Sequence, residues 1–232
     1  MTDNIQNISL FHGNPDFDFI PKFGCGRDYH DYGNAFYCTP SFDSAAEWAC
    51  LRKTEQTAYV YEYKLSVPID ISPEVRILDF DKLDAVYWIS ALLQHRYDDE
   101  LRPELLDRRE EFIKKYPTNC DKFDIIYGWR ADDKFFALVR DFLNALITLE
   151  TAKEAILLGD LGKQLVVKSE RAYSWIKNVN KSELSSDDYK KWHGIFNKKD
   201  QDGRSAYSEL VDDARKSAKE QKKRGTLILD LI

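Results

Sequence analysis

The chain has 232 residues, of which 43% are hydrophobic and 13% aromatic, with 10 Gly and 7 Pro. This composition predicts a sizeable buried core and excludes a disordered, collagen-like or low-complexity chain. The net charge of -6 argues against a protein that coats nucleic acid by neutralising phosphates. The charge is uneven, because residues 1–162 carry a net charge of -11 and residues 163–232 one of +5, so a polyanion would meet the last third first.

The cysteines and the apolar stretches indicate whether the chain binds a metal, forms disulfides or enters a membrane. The four cysteines form no C-x-x-C pair and lie near no histidine at zinc-finger spacing, so we expect neither a metal site nor disulfides. Residues 1–7 lack the charged and apolar regions of a secretory signal. The longest nearly apolar stretch, residues 85–93, is about half a membrane span. We therefore expect a cytoplasmic protein without a membrane partner.

The first 80 residues predict short strands, one helix and one long loop. A helix is predicted through Arg52, with Ser41 or Asp43 as its N-cap. The loop over residues 14–34 is rich in Gly and Pro, and loops of this length are commonly functional. Its side chains that can reach a ligand are Arg27, Asp28, His30, Asp31 and Tyr32. Apolar or alternating patterns predict strands over residues 8–13, 35–39, 57–66 and 76–80.

Helical patterns dominate the rest of the chain. A helical insertion is predicted at about 82–118, with a new helix opening at Pro103. A basic amphipathic helix at about 205–224 follows a polar stretch, and it can contact a polyanion or simply present a solvated face. Further helices are predicted over residues 134–146 and 148–158, and strands over residues 123–129, 164–168 and 226–232.

The order of these elements predicts one α+β domain over residues 1–232. Strands and helices are spaced too irregularly for tidy βαβ units, which favours a mainly antiparallel sheet over a doubly wound fold. No Gly-x-Gly-x-x-Gly motif follows a strand and no Walker loop is present, so the usual nucleotide-binding folds are excluded.

The most informative residues lie between positions 10 and 48. His12 ends a predicted strand beside Gly13, whose lack of a side chain lets a planar amide approach the backbone. Tyr37 follows Gly33 at Gly-x-x-x-Tyr spacing, and Trp48 comes eleven residues later. Taken singly, such a histidine is more often a satisfied surface residue and such a tyrosine a core residue. Together they form a much more specific constellation.

This constellation resembles the nicotinamide pocket of the ADP-ribosyltransferase superfamily, in the branch with a His-Tyr-Glu type triad that includes poly(ADP-ribose) polymerases and diphtheria toxin. The resemblance implies a mainly antiparallel split sheet with flanking helices. It implies that His12 hydrogen-bonds a ribose hydroxyl of NAD and that the Gly13 backbone pairs with the nicotinamide carboxamide. It also implies that Tyr37 stacks on the nicotinamide ring, with Trp48 completing the stack.

A wider resemblance covers nearly the whole chain. The chain is similar to a bacterial family of unknown function that is typical of genomes rich in toxin–antitoxin operons. This resemblance implies a toxin or defence effector, with an antitoxin protein as a partner. The segments that carry it are residues 10–13, 31–39, 45–49, 124–136 and 157–173, together with ARKSA and LILDLI near the end of the chain.

The third position of the triad falls on Gln164, at the start of a late strand. A glutamate there would hydrogen-bond the ribose 2′-hydroxyl and stabilise the oxocarbenium-like state, whereas a glutamine holds the hydroxyl without supplying charge. The resemblance therefore implies a single transfer or slow NAD hydrolysis rather than polymer elongation. An equally weighted alternative is that Gln164 is a structural amide bonded to neighbouring backbone.

Four further residues are candidates for contacts with phosphates or an acceptor. Arg130 can bind a pyrophosphate or a target phosphate through its bidentate fork, and Arg27 is a second candidate for the NAD phosphates. Asp132 or Asp133 can orient Arg130 or serve as a base toward an acceptor. The favoured alternative is that one of these aspartates caps the helix near residue 134.

The resulting prediction is an NAD-dependent mono-ADP-ribosyltransferase, a glycosyltransferase with NAD as co-substrate and no metal. It would modify an unidentified macromolecule, either protein or nucleic acid. The alternative is a catalytically silent module that binds NAD, another nucleotide or a partner. A phosphotransferase that removes a 2′-phosphate from RNA is a third possibility, but it would want several arginines in the pocket.

Overall fold

Two β-sheets and eight α-helices make up the part of the chain that the computed structural model describes, which is residues 6–51, 57–68, 70–96, 102–131, 134–156, 158, 162–219 and 225–232. The strands are β1 (Gln6–Asn14), β2 (Phe36–Cys38), β3 (Ala58–Ser66), β4 (Ile77–Asp79), β5 (Ile125–Trp129), β6 (Lys163–Val167) and β7 (Ile176–Leu184). The helices are α1 (Phe42–Ala49), α2 (Ala85–His95), α3 (Pro103–Lys115), α4 (Lys134–Leu143), α5 (Leu149–Ile156), α6 (Glu170–Tyr173), α7 (Ser186–Lys219) and α8 (Ile228–Leu231).

The two sheets meet edge to edge. One sheet is antiparallel in the order β1-β3-β7, and the other has the order β2-β6-β5-β4 with a single parallel pair, β4 and β5. Phe11 of β1 and Thr39 after β2 link the sheets through an isolated antiparallel bridge, with N–H···O distances of 2.7 and 2.9 Å. We call this place, where β1 and β2 meet at the Phe11–Thr39 bridge, the sheet junction. The predicted α+β class is confirmed.

Helix α1 lies directly on β1. Its N-cap is Ser41, whose hydroxyl accepts a hydrogen bond from the Ser44 N–H at 3.2 Å, as predicted for one of the two candidate caps. A Cβ at Gly13 would collide with the Ala45 carbonyl oxygen and come within 2.6 Å of the Ala49 nitrogen. Gly13 is therefore the residue that lets the helix backbone approach the strand this closely.

The second sheet separates two hydrophobic clusters. Along β2, Phe36 and Cys38 point into a cluster shared with β1 and β3, whereas Tyr37 packs on the cluster formed with α2, α3 and α4. This alternation follows from the two-residue period of a strand. A third cluster joins α1, β3 and α7 through Ala45, Val60 and Trp192.

The predicted strands of the first 168 residues and the helices between them are present, although their ends differ by a few residues. The predicted insertion contains α2 and α3, on either side of residues 97–101, which lie outside the described residues. The polar stretch before residue 205, to which no element is assigned from the sequence, contains the second half of β7 and the beginning of α7. Residues 205–219 of the predicted basic helix are the last part of this 34-residue helix, and residues 220–224 lie outside the described residues.

The predicted closing strand over residues 226–232 is wrong. This segment forms the short helix α8, because the Asp230 carboxylate accepts the Leu227 N–H at 3.0 Å and closes a turn. Ile228 is then fully buried against the larger cluster.

Within the described ranges, no helix combines the length and the apolar character that crossing a bilayer requires.

Candidate functional site

The sheet junction brings together the strands that carry the three predicted triad positions. His12 lies on β1, next to the bridge with β2, and Tyr37 lies on β2 opposite Val166 of β6. Gln164 is two residues before Val166 on the same strand. Positions that are far apart in sequence are thus carried by three adjacent strands.

The side chains of the three triad residues lie on two different faces of the sheets at the sheet junction. Tyr37 and Gln164 share one face, because Val166 lies opposite Tyr37 and Gln164 is two residues from Val166. The His12 ring lies on the other face, where its centroid is 4.7 Å from that of Phe19 and 4.9 Å from that of Phe36. The β1 residue that shares the face of Tyr37 and Gln164 is therefore Gly13.

His12 is a neutral imidazole with a defined tautomer. Its Nδ1 is 2.8 Å from the Tyr37 carbonyl oxygen, which only accepts, so Nδ1 carries the proton. Burial lowers the pKa of His12 to about 4, against the opposing effect of this hydrogen bond. Nε2 is then an acceptor, 3.5 Å from the Asn14 amide nitrogen, and it can accept a hydrogen bond from a hydroxyl.

Gly13 presents a backbone donor and acceptor at the sheet junction. The N–H and C=O of Phe11 both bond to Thr39, so those of Gly13, two residues on, point to the same side of β1. Beyond the bridge, the carbonyl of Tyr37 bonds to the His12 side chain instead of to β1. Within the described residues, no backbone group of β2 pairs with Gly13 on that side. The pair of groups matches the needs of a primary carboxamide.

Tyr37 is fixed by the long loop. Its hydroxyl accepts the Tyr32 N–H at 2.9 Å and donates to the Gly33 carbonyl at 2.7 Å. Burial is the main cause that raises the pKa of this hydroxyl well above its ordinary value. The ring of His30 meets that of Tyr37 edge-on, with a centroid distance of 5.2 Å. The hydroxyl is used by the structure, and one face of the ring lies parallel to the Tyr32 ring at a centroid distance of 6.5 Å, so a nicotinamide would have to stack on the other face.

Gln164 is almost fully buried, with 2% of its surface exposed. Its Nε2 donates to Asp31 Oδ2 at 2.7 Å and to the Trp129 carbonyl at 3.1 Å. The second contact, to the adjacent strand β5, is the backbone bond that the structural alternative predicts. The first was not predicted, although Asp31 was among the loop residues singled out in the sequence.

Asp31 is the centre of a buried polar network. Its carboxylate also accepts from Arg96 Nη1 at 2.8 Å and from the Ala131 N–H at 2.9 Å. The fully buried Tyr32 extends the network, since its hydroxyl accepts from Trp88 Nε1 and donates to the Trp129 carbonyl, both at 2.8 Å. No local motif signals the partners of Asp31, because they come from distant parts of the chain.

Trp48 and Arg130 stack on each other. The Arg130 guanidinium carbon is 4.7 Å from the centroid of the Trp48 ring and 5.8 Å from that of Phe196 in α7. The Arg130 N–H donates to the Gly162 carbonyl at 3.2 Å, which holds the residue beside the start of β6. A nicotinamide ring on Trp48 must therefore use the other face or displace the guanidinium.

The remaining predicted residues do not join this group. Arg27 is exposed in the loop, with its guanidinium carbon 5.9 Å from the ring centroid of Tyr29. Asp132 and Asp133 lie outside the described residues. Within the described part of the chain, no three His, Cys, Asp or Glu side chains are grouped as metal ligands.

The fold and the site define a mixed α+β protein whose two sheets meet over a polar centre at the sheet junction. The chain belongs to a family described as "Protein of unknown function (DUF3990)", which it matches over residues 8–178. No curated protein and no solved structure matches it.

Proposed function

We propose that the protein is an NAD-dependent mono-ADP-ribosyltransferase that acts as a bacterial toxin or defence effector. One observation carries the proposal: His12-Gly13, Tyr37 and Gln164 lie on three adjacent strands where two sheets split. The resemblance that implies NAD chemistry requires such a split sheet with these positions on neighbouring strands. NAD is the co-substrate, and the target is an unidentified protein or nucleic acid.

The resemblance assigns each group a role in NAD binding. One NAD molecule would have to reach both faces at the sheet junction, because the His12 ring lies on the face opposite Tyr37 and Gln164. The Gly13 N–H and C=O would pair with the nicotinamide carboxamide, and His12 Nε2 would accept a ribose hydroxyl. The Tyr37 ring would stack on the nicotinamide. These roles need a neutral His12, which agrees with its lowered pKa.

The proposed reaction breaks the bond between the ribosyl C1′ and the nicotinamide nitrogen. The bonding electron pair leaves with nicotinamide, which departs as a neutral molecule, and the acceptor's nucleophile attacks C1′ and loses its proton. Gln164 supplies no negative charge to the developing cation, so we expect modest rates. Water as the acceptor would give weak NAD glycohydrolase activity.

The burial of Gln164 favours a second candidate, a catalytically silent module on the same fold. Nε2 of Gln164 already donates to Asp31 and to Trp129, and only 2% of the residue is exposed. Such a module would bind NAD, another nucleotide or a protein partner such as an antitoxin, without turnover.

Incubation with labelled NAD and cell extract separates these functions. For a transferase, we expect label on a macromolecule together with released nicotinamide, and His12→Ala should lose both. His193→Ala is the matched control, because the Nδ1 of that histidine also bonds to a backbone carbonyl, that of Cys50 at 2.7 Å, and the residue lies on α7 rather than on one of the three strands of the site. NAD binding without nicotinamide release would identify a silent module that binds NAD. Neither binding nor release would contradict the transferase and leave only a module for another nucleotide or a protein partner.

A further inference from the structure

The position of Asp31 gives the long loop a specific role in this site. We infer that Asp31 is a positioning residue that holds the Gln164 carboxamide in one orientation, with its oxygen presented as the acceptor for a ribose hydroxyl. This inference rests on the proposed function. It adds to the proposed site a residue that is not one of the three triad residues.

The Asp31 carboxylate can only accept from Gln164. Arg96 Nη1 donates to Oδ1 at 2.8 Å, and the Ala131 N–H donates to Oδ2 at 2.9 Å. With a guanidinium and a backbone N–H donating to it and 6% of the residue exposed, the carboxylate is paired on both oxygens. Gln164 must therefore turn its amide nitrogen, the only donor it has, toward Oδ2.

A second acceptor reinforces the same orientation. The Trp129 carbonyl lies 3.1 Å from the Gln164 nitrogen. Turning the carboxamide over would bring its oxygen against two acceptors at once and remove one hydrogen bond from each of them. Among the described residues, none donates a hydrogen bond to Gln164 Oε1, so this oxygen keeps its capacity to accept. A ligand hydroxyl would have to reach it at a residue of which 2% is exposed.

The pair also accounts for glutamine in place of glutamate at this position. Both oxygens of a glutamate accept, so a glutamate needs no neighbour to select its orientation, whereas a glutamine does. A glutamate beside Asp31 would put two carboxylates at the 2.7 Å contact, and one of them would be forced to take up a proton. Asp31 and Gln164 are thus a matched pair.

Asp31 is itself held rigidly by its neighbours in the loop. Tyr32 anchors the segment through Trp88 and Trp129, and Lys168 Nζ donates to the Tyr32 carbonyl at 2.9 Å. A Cβ at Gly128 would collide with the Tyr32 hydroxyl, so a glycine at that position makes room for the anchor. Because Asp31 lies on a segment that is itself held in place, it can hold the Gln164 carboxamide in one orientation.

Four proteins test the pairing: wild type, Asp31→Asn, Gln164→Glu and the double variant. An asparagine offers both a donor and an acceptor, so Asp31→Asn should lower kcat for nicotinamide release about tenfold with a smaller change in KM. Gln164→Glu alone should also lose activity. In the double variant the asparagine amide introduced at position 31 donates to the new carboxylate, and we expect release at least as fast as in wild type.

Asp18→Asn is the matched control, because it removes the same charge from an exposed position of the same loop. It should leave kcat unchanged. Equal rates for Gln164→Glu and the double variant, or a wild-type rate for Asp31→Asn, would overturn the pairing.

A second readout needs no NAD and separates this inference from the proposed function. In the 15N NMR spectrum, the side-chain amide of Gln164, identified by its loss in Gln164→Glu, should exchange its protons slowly in wild type and faster in Asp31→Asn. Equal exchange rates in the two proteins contradict the positioning role even if the wild type turns over NAD. Slow exchange with no NAD turnover would preserve the positioning role and reject the transferase.

Discussion

The two sides of the sheet junction are built in opposite ways. On β1, Gly13 presents backbone groups that the described part of β2 does not pair, beside a neutral His12 whose acceptor Nε2 has only a 3.5 Å contact with the Asn14 amide. On β6, the amide of Gln164 is committed to Asp31 and Trp129 inside the protein. The first side is suited to receive a ligand, and the second fixes a single polar group by means of a buried network. Motif positions on adjacent strands therefore need not be equally accessible to a ligand.

Gly13→Ala should have the largest effect, because the new Cβ would collide with the backbone of α1. We expect the free energy of unfolding in urea to fall by about 3 kcal/mol. Gly194→Ala, in α7 with no atom within 4 Å of its Cβ position, should instead raise it by roughly 0.5–1 kcal/mol. A wild-type unfolding midpoint for Gly13→Ala would show that α1 does not lie this close to β1.

On the Gln164 side, Tyr32→Phe should lower the free energy of unfolding by about 2 kcal/mol. The substitution removes the acceptor of Trp88 Nε1 and one donor to the Trp129 carbonyl, and buried groups left unpaired are costly. Tyr29→Phe is the control, since 61% of Tyr29 is exposed and its change should stay within about 0.5 kcal/mol. Equal stabilities of the two variants would show that the network contributes little.

Stability should depend on pH through His12. Because burial lowers its pKa to about 4 in the folded state, the unfolded chain binds more protons between about pH 6.5 and pH 4. The free energy of unfolding should therefore fall as the pH falls through this range. His95, whose pKa burial also lowers to about 4, adds to the slope, so His12→Asn should reduce the slope without abolishing it. Urea midpoints at several pH values measure this, and an unchanged slope in the variant would contradict a buried neutral His12.

The smallest effect is expected at the stacked pair of Trp48 and Arg130. If Arg130 contacts the NAD pyrophosphate, Arg130→Ala should weaken NAD binding about fivefold, which is about 1 kcal/mol. Arg204→Ala, on the exposed surface of α7, should leave the affinity unchanged. Tighter NAD binding by Arg130→Ala would show instead that the guanidinium competes for the face of Trp48.

The sequence allowed most of the sheet to be predicted but not its last strand. β1 and β3 have clear apolar or alternating patterns because each packs against a core, and Ser41 marks the start of α1. β7 pairs only with β3 and leaves most of its side chains exposed, so its sequence shows no alternation. The start of α7 is similarly polar, since few of its residues are buried.

Prediction of the site was limited in the same way. His12, Gly13, Tyr37 and Trp48 could be selected because they belong to short motifs in one region of the chain. The partners of Gln164 could not be assigned, because Asp31 and Trp129 reach it only through the folded arrangement of the loop, β5 and β6. The spacing of motif residues predicts which residues lie on adjacent elements. It does not predict which side chains pair across the core, because that depends on how the elements pack in the folded chain.

Calorimetric titration of NAD into the wild type and His12→Ala determines whether NAD binds at the sheet junction. We expect one NAD per chain for the wild type and at least tenfold weaker binding for His12→Ala, which loses the Nε2 acceptor and the contact with the Tyr37 carbonyl. His193→Ala should bind NAD as the wild type does. Equal NAD affinities for the wild type and His12→Ala, or no binding heat with the wild type, would contradict an NAD site at the sheet junction.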